Sequence, residues 1–396
     1  MMNKFSLHLA AFTVIVVSVT AATAIRADEG FENQQNAYVV TRLVTDLPGK
    51  ANFQDPVLQN AWGVAFSPAG SPFWIADNAT GCSTLYAGDG SKVALQVSIP
   101  LPDNVVPTTS CKTVDPHNPP MNAAPTGIIW NPSSAFIVPG TKSTNPPNGI
   151  QASFIFATED GTLSAWAGGL TPNPNNAVIA FDNSASGAVY KGLAYGVNVH
   201  GFFLFATNFN AGTVDVFGPN GPDGQFTLAT TDGRFIDPDI PAGYAPFGIE
   251  SIDGNLFVTY ALQNAEKHDD VKGPGHGFID IFDTDGHLLR RFASRGPLNS
   301  PWGMTRASFA FGRFSGQILI GNFGNGKINV FNSRGQFIDE LDRPNGKPLK
   351  IDGLWKLTLG GGRASSPDTL YFTAGPNDEK DGLFGTITPA SKNNDN

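Results

Sequence analysis

The sequence predicts an all-β fold, a six-bladed β-propeller of four-stranded antiparallel blades closed by an N-terminal strand. Three observations carry this. Gly (45) and Pro (30) make up nearly a fifth of the 396 residues, and only 15% are charged. That balance suits short strands joined by tight turns, and neither a disordered chain nor a coiled coil. Second, a glycine-centred motif that opens an apolar strand recurs six times. Third, each copy is followed by a second strand, a polar turn and a third strand, which makes an antiparallel meander. A lone meander of this size cannot bury its faces, whereas six stacked radially can.

The six motifs are Trp62-Gly63-Val64, Thr126-Gly127-Ile128, Lys191-Gly192-Leu193, Phe247-Gly248-Ile249, Trp302-Gly303-Met304 and Asp352-Gly353-Leu354. Their glycines are spaced by 64, 65, 56, 55 and 50 residues. The second strands, such as Phe73–Asp77 and Phe203–Asn208, are near-continuous apolar runs, as expected of strands buried on both faces. The third strands alternate, as in Thr213-Val214-Asp215-Val216-Phe217, which predicts a more polar side. A fourth strand follows in places, as at 287–292 and 336–341. The sixth copy runs out near Pro389, and the stretch Tyr38–Val44 is expected to supply its last strand.

The ends read differently. Residues 1–24 have the charged start (Lys4), apolar middle and small-residue cleavage site of a secretory leader. Residues 25–34 are expected to be a flexible N-terminus, 35–390 the propeller and 391–396 a polar tail. Secretion or a periplasmic location is the expectation. Cys82 and Cys111 are the only cysteines, and an oxidising compartment favours their pairing as a disulfide. A net charge of −9 speaks against nucleic acid as a partner. No span after the leader is apolar enough to cross a membrane. A monomer that engages an extracellular or cell-envelope ligand is the expected state.

The combination of Asn60-Ala61-Trp62-Gly63, Ala157-Thr158-Glu159-Asp160-Gly161-Thr162, Lys267-His268-Asp269-Asp270-Val271 and Arg295–Gly303 resembles an uncharacterised family of exported bacterial propellers. The likeness also draws on Ala206–Phe209, Tyr244–Phe247, Ile351–Trp355 and Phe372–Asn377. Several members end in a sorting tail that this chain lacks, so a freely soluble product is expected. More distantly the repeats are similar to NHL and gluconolactonase-type propellers. Some of those bind Ca²⁺ at the axis and hydrolyse lactones or phosphoesters; the resemblance transfers no catalytic residue by motif.

In a propeller, the turns after second strands and the entries to first strands share one face near the axis. The turns offer Asp77, Asn78, Glu159, Asp160, Asn208, Asn322 and Asn377. The entries offer Asn60, Thr126, Lys191, Asn299 and Asp352. Asp77, Glu159, Asp160 and Asp352 are the candidate metal ligands, and their hard oxygens suit Ca²⁺ as the one cofactor expected. Lys191, Asn208, Asn322 and Asn377 are the candidate ligand-binding residues. Asp and Asn are also the ordinary residues of tight turns.

The insertion 262–277 concentrates charge in a charge-poor chain. There His268 beside Asp269 and Asp270 has the makings of an oriented general base. A solvated loop held by Lys–Asp pairs is the alternative. No serine triad, P-loop or dinucleotide motif occurs. Two functions stay open: an exported binding module acting through its loop-rich face, and a Ca²⁺-dependent lactonase or esterase.

Overall fold

The computed structural model describes residues 34–102, 111, 123–140, 149–171, 173–221 and 225–391. The expected leader lies outside these, as do nearly all of the linker 25–34 and of the polar tail. So does most of the blade-one insertion.

The chain opens with β1 (Tyr38–Thr45) and the short β2 (Phe53–Gln54). Blade one follows as β3 (Ala61–Ala65), β4 (Phe73–Asp77), β5 (Cys82–Tyr86) and β6 (Val97–Ser98). Blade two is β7 (Pro125–Trp130), β8 (Phe154–Thr158), β9 (Thr162–Trp166) and β10 (Val178–Asp182). Blade three is β11 (Tyr190–Asn198), β12 (Gly201–Asn208), β13 (Thr213–Gly218) and β14 (Thr227–Ala229). Blade four is β15 (Tyr244–Ile252), β16 (Asn255–Leu262), β17 (Phe278–Phe282) and β18 (Leu288–Ser294). Blade five is β19 (Pro301–Arg306), β20 (Ile318–Asn322), β21 (Ile328–Phe331) and β22 (Phe337–Glu340). Blade six is β23 (Leu354–Leu359), β24 (Leu370–Ala374) and β25 (Leu383–Pro389), and β1 completes it antiparallel to β25, from Tyr38↔Pro389 to Thr45↔Leu383. The expected closure is thus present, with β2 added in parallel outside β1.

The inner strands β3, β7, β11, β15, β19 and β23 neighbour one another around a ring, and β23 meets β3. Their glycines explain how. A Cβ on Gly63 would lie 2.4 Å from the Thr126 carbonyl oxygen, and one on Gly303 would lie 2.2 Å from that of Trp355. Gly127 and Gly248 are equally tight against the next blade. Backbone packs on backbone at these seams, which no side chain permits.

All six inner strands carry a register shift at one place, from Ala61/Val64 in blade one to Leu354/Leu357 in blade six. This bulge corrects the sixth motif. The residue equivalent to Gly303 is Lys356, not Gly353, and Trp355 is equivalent to Trp302. Gly353 is a turn glycine with φ +63°. The shared glycine misplaced the repeat by three residues, because a turn and a close seam both require glycine.

The third strands also depart from expectation. β5, β9, β17 and β21 are buried throughout, polar residues included; only β13 shows an exposed position at its start. Each blade is covered on both faces by its neighbours, so Ser83, Thr84, Ser164 and Asp280 lie in the interior. Cys82 on β5 is bonded to Cys111, as the compartment argument anticipated, with Cα atoms 5.4 Å apart.

Candidate functional site

The inner strands line the axis, and the register makes the residue before the seam position equivalent in each blade. Those residues are Trp62, Thr126, Lys191, Phe247, Trp302 and Trp355. Trp62, Trp302, Trp355 and Phe247 join Phe209 and Phe323 in a buried aromatic cluster. Trp355 stacks between Trp62 at 3.7 Å and Phe323 at 3.8 Å. This plug divides the axis into two mouths. The inner strands enter at one mouth, beside Asn60, and leave at the other, beside Phe66.

At the entry mouth a polar network lies on the plug. Lys191 is 1% exposed, and its Nζ stands 5.2 Å above the Trp62 ring. The ammonium donates to Glu159 Oε1 and, at 3.5 Å, to Asp269 Oδ1. Asn78 Nδ2 donates to Glu159 Oε2 at 2.8 Å. Asn60 Nδ2 donates to Asn78 Oδ1 at 3.1 Å and to Glu379 Oε2 at 2.9 Å. The indole of Trp355 donates to Asn60 Oδ1 at 2.9 Å, which fixes the amide on the plug. Asn60 reaches this place through a left-handed backbone, φ 45°.

The fourth blade's insertion, 263–277, closes over this network. Asn264 Oδ1 accepts from the His268 and Asp269 amides at 3.0 and 3.3 Å and holds the turn. His268 Nδ1 meets Asp269 Oδ1 at 2.8 Å. Gly273 N donates to Asn299 Oδ1 at 2.8 Å, and Lys272 Nζ caps Phe323 at 4.3 Å. One insertion therefore touches blades two, three and five.

The electrostatics follow from burial and pairing. Burial works against the Lys191 ammonium, but Glu159, and then Asp269, more than offset it and raise its pKa. The hydrogen bond with Asp269 raises the His268 pKa and lowers that of Asp269. Burial pushes the carboxyls of Asp160, Asp270 and Glu379 upward. Five carboxyl groups and two lysines share this mouth.

The sequence candidates divide accordingly. Lys191, Glu159, His268 and Asp269 meet. Asp160 adjoins them, with Oδ2 accepting from the Ala124 amide at 2.7 Å. Asp270 is half-buried at the edge, and its Oδ2 lacks a donor among the described residues. Asp77 is sealed inside blade one, where Oδ2 accepts from the Thr84 amide at 2.8 Å and burial holds the carboxyl well above its usual range. Asp352 lies in a separate cleft with Lys50 and Arg343, and it accepts from the Asn377 amide at 2.8 Å. Asn208, Asn322 and Asn377 hold turns: Asn208 Nδ2 donates to Asp215, Asn322 Nδ2 to the Pro297 carbonyl and Asn377 Nδ2 to Asp381. Thr126 donates to the Tyr190 carbonyl at 2.7 Å. Sequence reasoning missed Glu379, the third of three consecutive residues with positive φ. No periodicity marks such a turn.

Donor atoms of Glu159, His268 and Asp269 lie within 4.8 Å of one another, the spacing of a metal site. The residues do not fit a resident Ca²⁺ as arranged. The Lys191 ammonium already bridges Glu159 and Asp269, and Ca²⁺ requires 6–8 oxygens. A divalent ion at that point would face the fixed positive charge of the Lys191 ammonium.

No family model matches the chain. Uncharacterized protein R648 of Acanthamoeba polyphaga mimivirus is 30% identical over 349 residues, 88% of this chain and 79% of the viral protein. Uncharacterized protein L690 of the same virus is 30% identical over 349 residues, 88% of this chain and 85% of its own length. These relatives are viral and lend no support to the bacterial resemblance. Among solved structures, a streptogramin B lyase is 10% identical, with TM-score 0.48, covering 89% of this chain and 98% of its own. A gluconolactonase from Xanthomonas campestris is 17% identical, with TM-score 0.46, covering 84% and 88%. At such identity no residue role passes from either to this chain.

Proposed function

The chain belongs to the family of the mimivirus proteins R648 and L690, and from that premise we propose that it is an exported binding module whose entry mouth takes a small organic cation. The charge imbalance over the plug carries this reading. Asp160, Asp270 and Glu379 are pushed up by burial, with too little positive charge nearby to offset it. A ligand ammonium supplies that charge. Cations already rest on aromatic faces here, Lys191 on Trp62 and Lys272 on Phe323. Residues 1–24 and the Cys82–Cys111 bond support export.

Calorimetry with 1,4-diaminobutane tests it. Binding is expected at pH 7 and weakens toward pH 4, because protonation of the raised carboxyls removes the charge the ligand meets. Glu379→Gln is expected to weaken binding about tenfold, roughly 1.4 kcal/mol. Absence of binding at every pH, or equal binding by the variant, contradicts the proposal.

The hydrolase reading is favoured by one observation, the convergence of Glu159, His268 and Asp269. It requires Lys191 to withdraw from its two carboxylates. Lactone or ester turnover that depends on added Ca²⁺ supports it, and none in the presence of Ca²⁺ removes it.

A further inference from the structure

The second mouth carries a site of its own. It is a cavity of about 290 Å³ on the far side of the plug, lined by the exit ends of the inner strands. Phe66, Trp130 and Tyr195 are half-buried around it, and Glu250, Ser251, Lys356 and Thr358 supply its polar groups. We propose that this cavity binds a neutral, hydroxyl-rich single-ring ligand of the monosaccharide class.

Lys356 stands where the other five inner strands have glycine, and no packing demand calls for a long cationic side chain there. Its Nζ crosses to Glu250 Oε2 of blade four and lies 5.8 Å from the Trp302 ring, the underside of the plug. The pair is not sealed: the side chains are 13% and 28% exposed. An ammonium and a carboxylate are thus held at the mouth of a cavity that also presents Ser251, Thr358 and three aromatic rings.

The pairing selects the ligand. A carboxylate would compete with Glu250 for Lys356, and an amine would compete with Lys356 for Glu250. Either would break the pair and leave one of its two charges, only part-exposed, without its partner. A neutral hydroxyl donates to Glu250 and accepts from Lys356 while the pair stays intact. The C–H face of a sugar ring matches Trp130, Tyr195 and Phe66. The volume sits at the low end of small-ligand clefts, roughly 300–1,000 Å³, and so favours one ring over a chain. This site is separated by the plug from the mouth discussed above, and the two proposals stand or fall apart.

Saturation-transfer NMR tests it on the full chain with methyl glucoside, methyl galactoside and methyl mannoside. Cyclohexane-methanol, sodium acetate and methylammonium serve as hydroxyl-poor, anionic and cationic probes. At least one glycoside is expected to receive saturation at concentrations up to about 50 mM, ahead of the other probes. Lys356→Gly restores the residue found at this position in the other five blades, so it is expected to fold, as judged by an unchanged circular dichroism spectrum. It is expected to weaken glycoside binding about tenfold. Trp130→Ala is expected to do the same without touching the ion pair. Transfer to none of the glycosides, preference for acetate or methylammonium, or undiminished binding by folded Lys356→Gly overturns the proposal.

Discussion

Lys191 shows how much one side chain decides. Its five equivalents around the axis are Trp62, Thr126, Phe247, Trp302 and Trp355, four of them aromatic. The lone cation gathers carboxylates from chain segments 32 and 78 residues away. Residue types at this mouth were legible in the sequence: Lys191, Glu159, His268 and Asp269 all stood out. Their partnership was not, because it depends on two blades and the insertion of a third meeting at the axis. The separate roles read for them, as ligand contact, metal ligand and base, become parts of one charge network. Asp77 is the converse case. A turn aspartate suggests a metal ligand, but its carboxyl is sealed in blade one. Its raised pKa means that its contribution is fully present below the usual carboxylate range and is lost as pH rises through the folded-state value. Asp77→Asn keeps an acceptor for the Thr84 amide and removes the ionisable group. Its melting temperature is expected to match the parent near pH 4 and exceed it by several degrees at pH 8. A constant difference across that range would show that Asp77 is not held protonated.

At the scale of the strand, the seam glycines do the work that the repeats announced. The sequence pattern located five of six correctly, because close backbone approach leaves an unmistakable demand for glycine. It failed in blade six, where the seam residue is Lys356 and a turn glycine lies nearby. The polar alternation of the third strands misled for a related reason. Alternation reports one exposed face only when nothing covers it, and in a ring the adjacent blade does. Gly303→Ala places a methyl group against the Trp355 carbonyl and is expected to cost about 2–3 kcal/mol or more, read from urea denaturation. A cost under about 0.5 kcal/mol would show that the seam can open. The contrast with Lys356→Gly, expected to fold normally, separates the glycine seams from the one built for a side chain.

At the scale of the whole molecule, closure of the ring by β1 leaves a disc with an aromatic plug and two unlike mouths. One gathers carboxyl groups around a buried lysine beneath the blade-four insertion. The other frames a single ion pair with aromatic rings. The ring and its closure were readable because repetition is a property of the sequence itself. The mouths were not, because each is assembled from residues that meet only when the ring closes. On this reading Lys191, rather than a metal ion, supplies the axial positive charge. Thermal denaturation of the parent and of Lys191→Met, each with chelator and then with Ca²⁺, decides between the two. The parent is expected to melt at the same temperature in both conditions. The variant leaves Glu159 and Asp269 without their ammonium, so it is expected to lose about 3 kcal/mol or more in chelator and to recover part of that with Ca²⁺. A parent that loses stability in chelator and regains it with Ca²⁺ would show that a metal ion, and not Lys191 alone, holds the mouth.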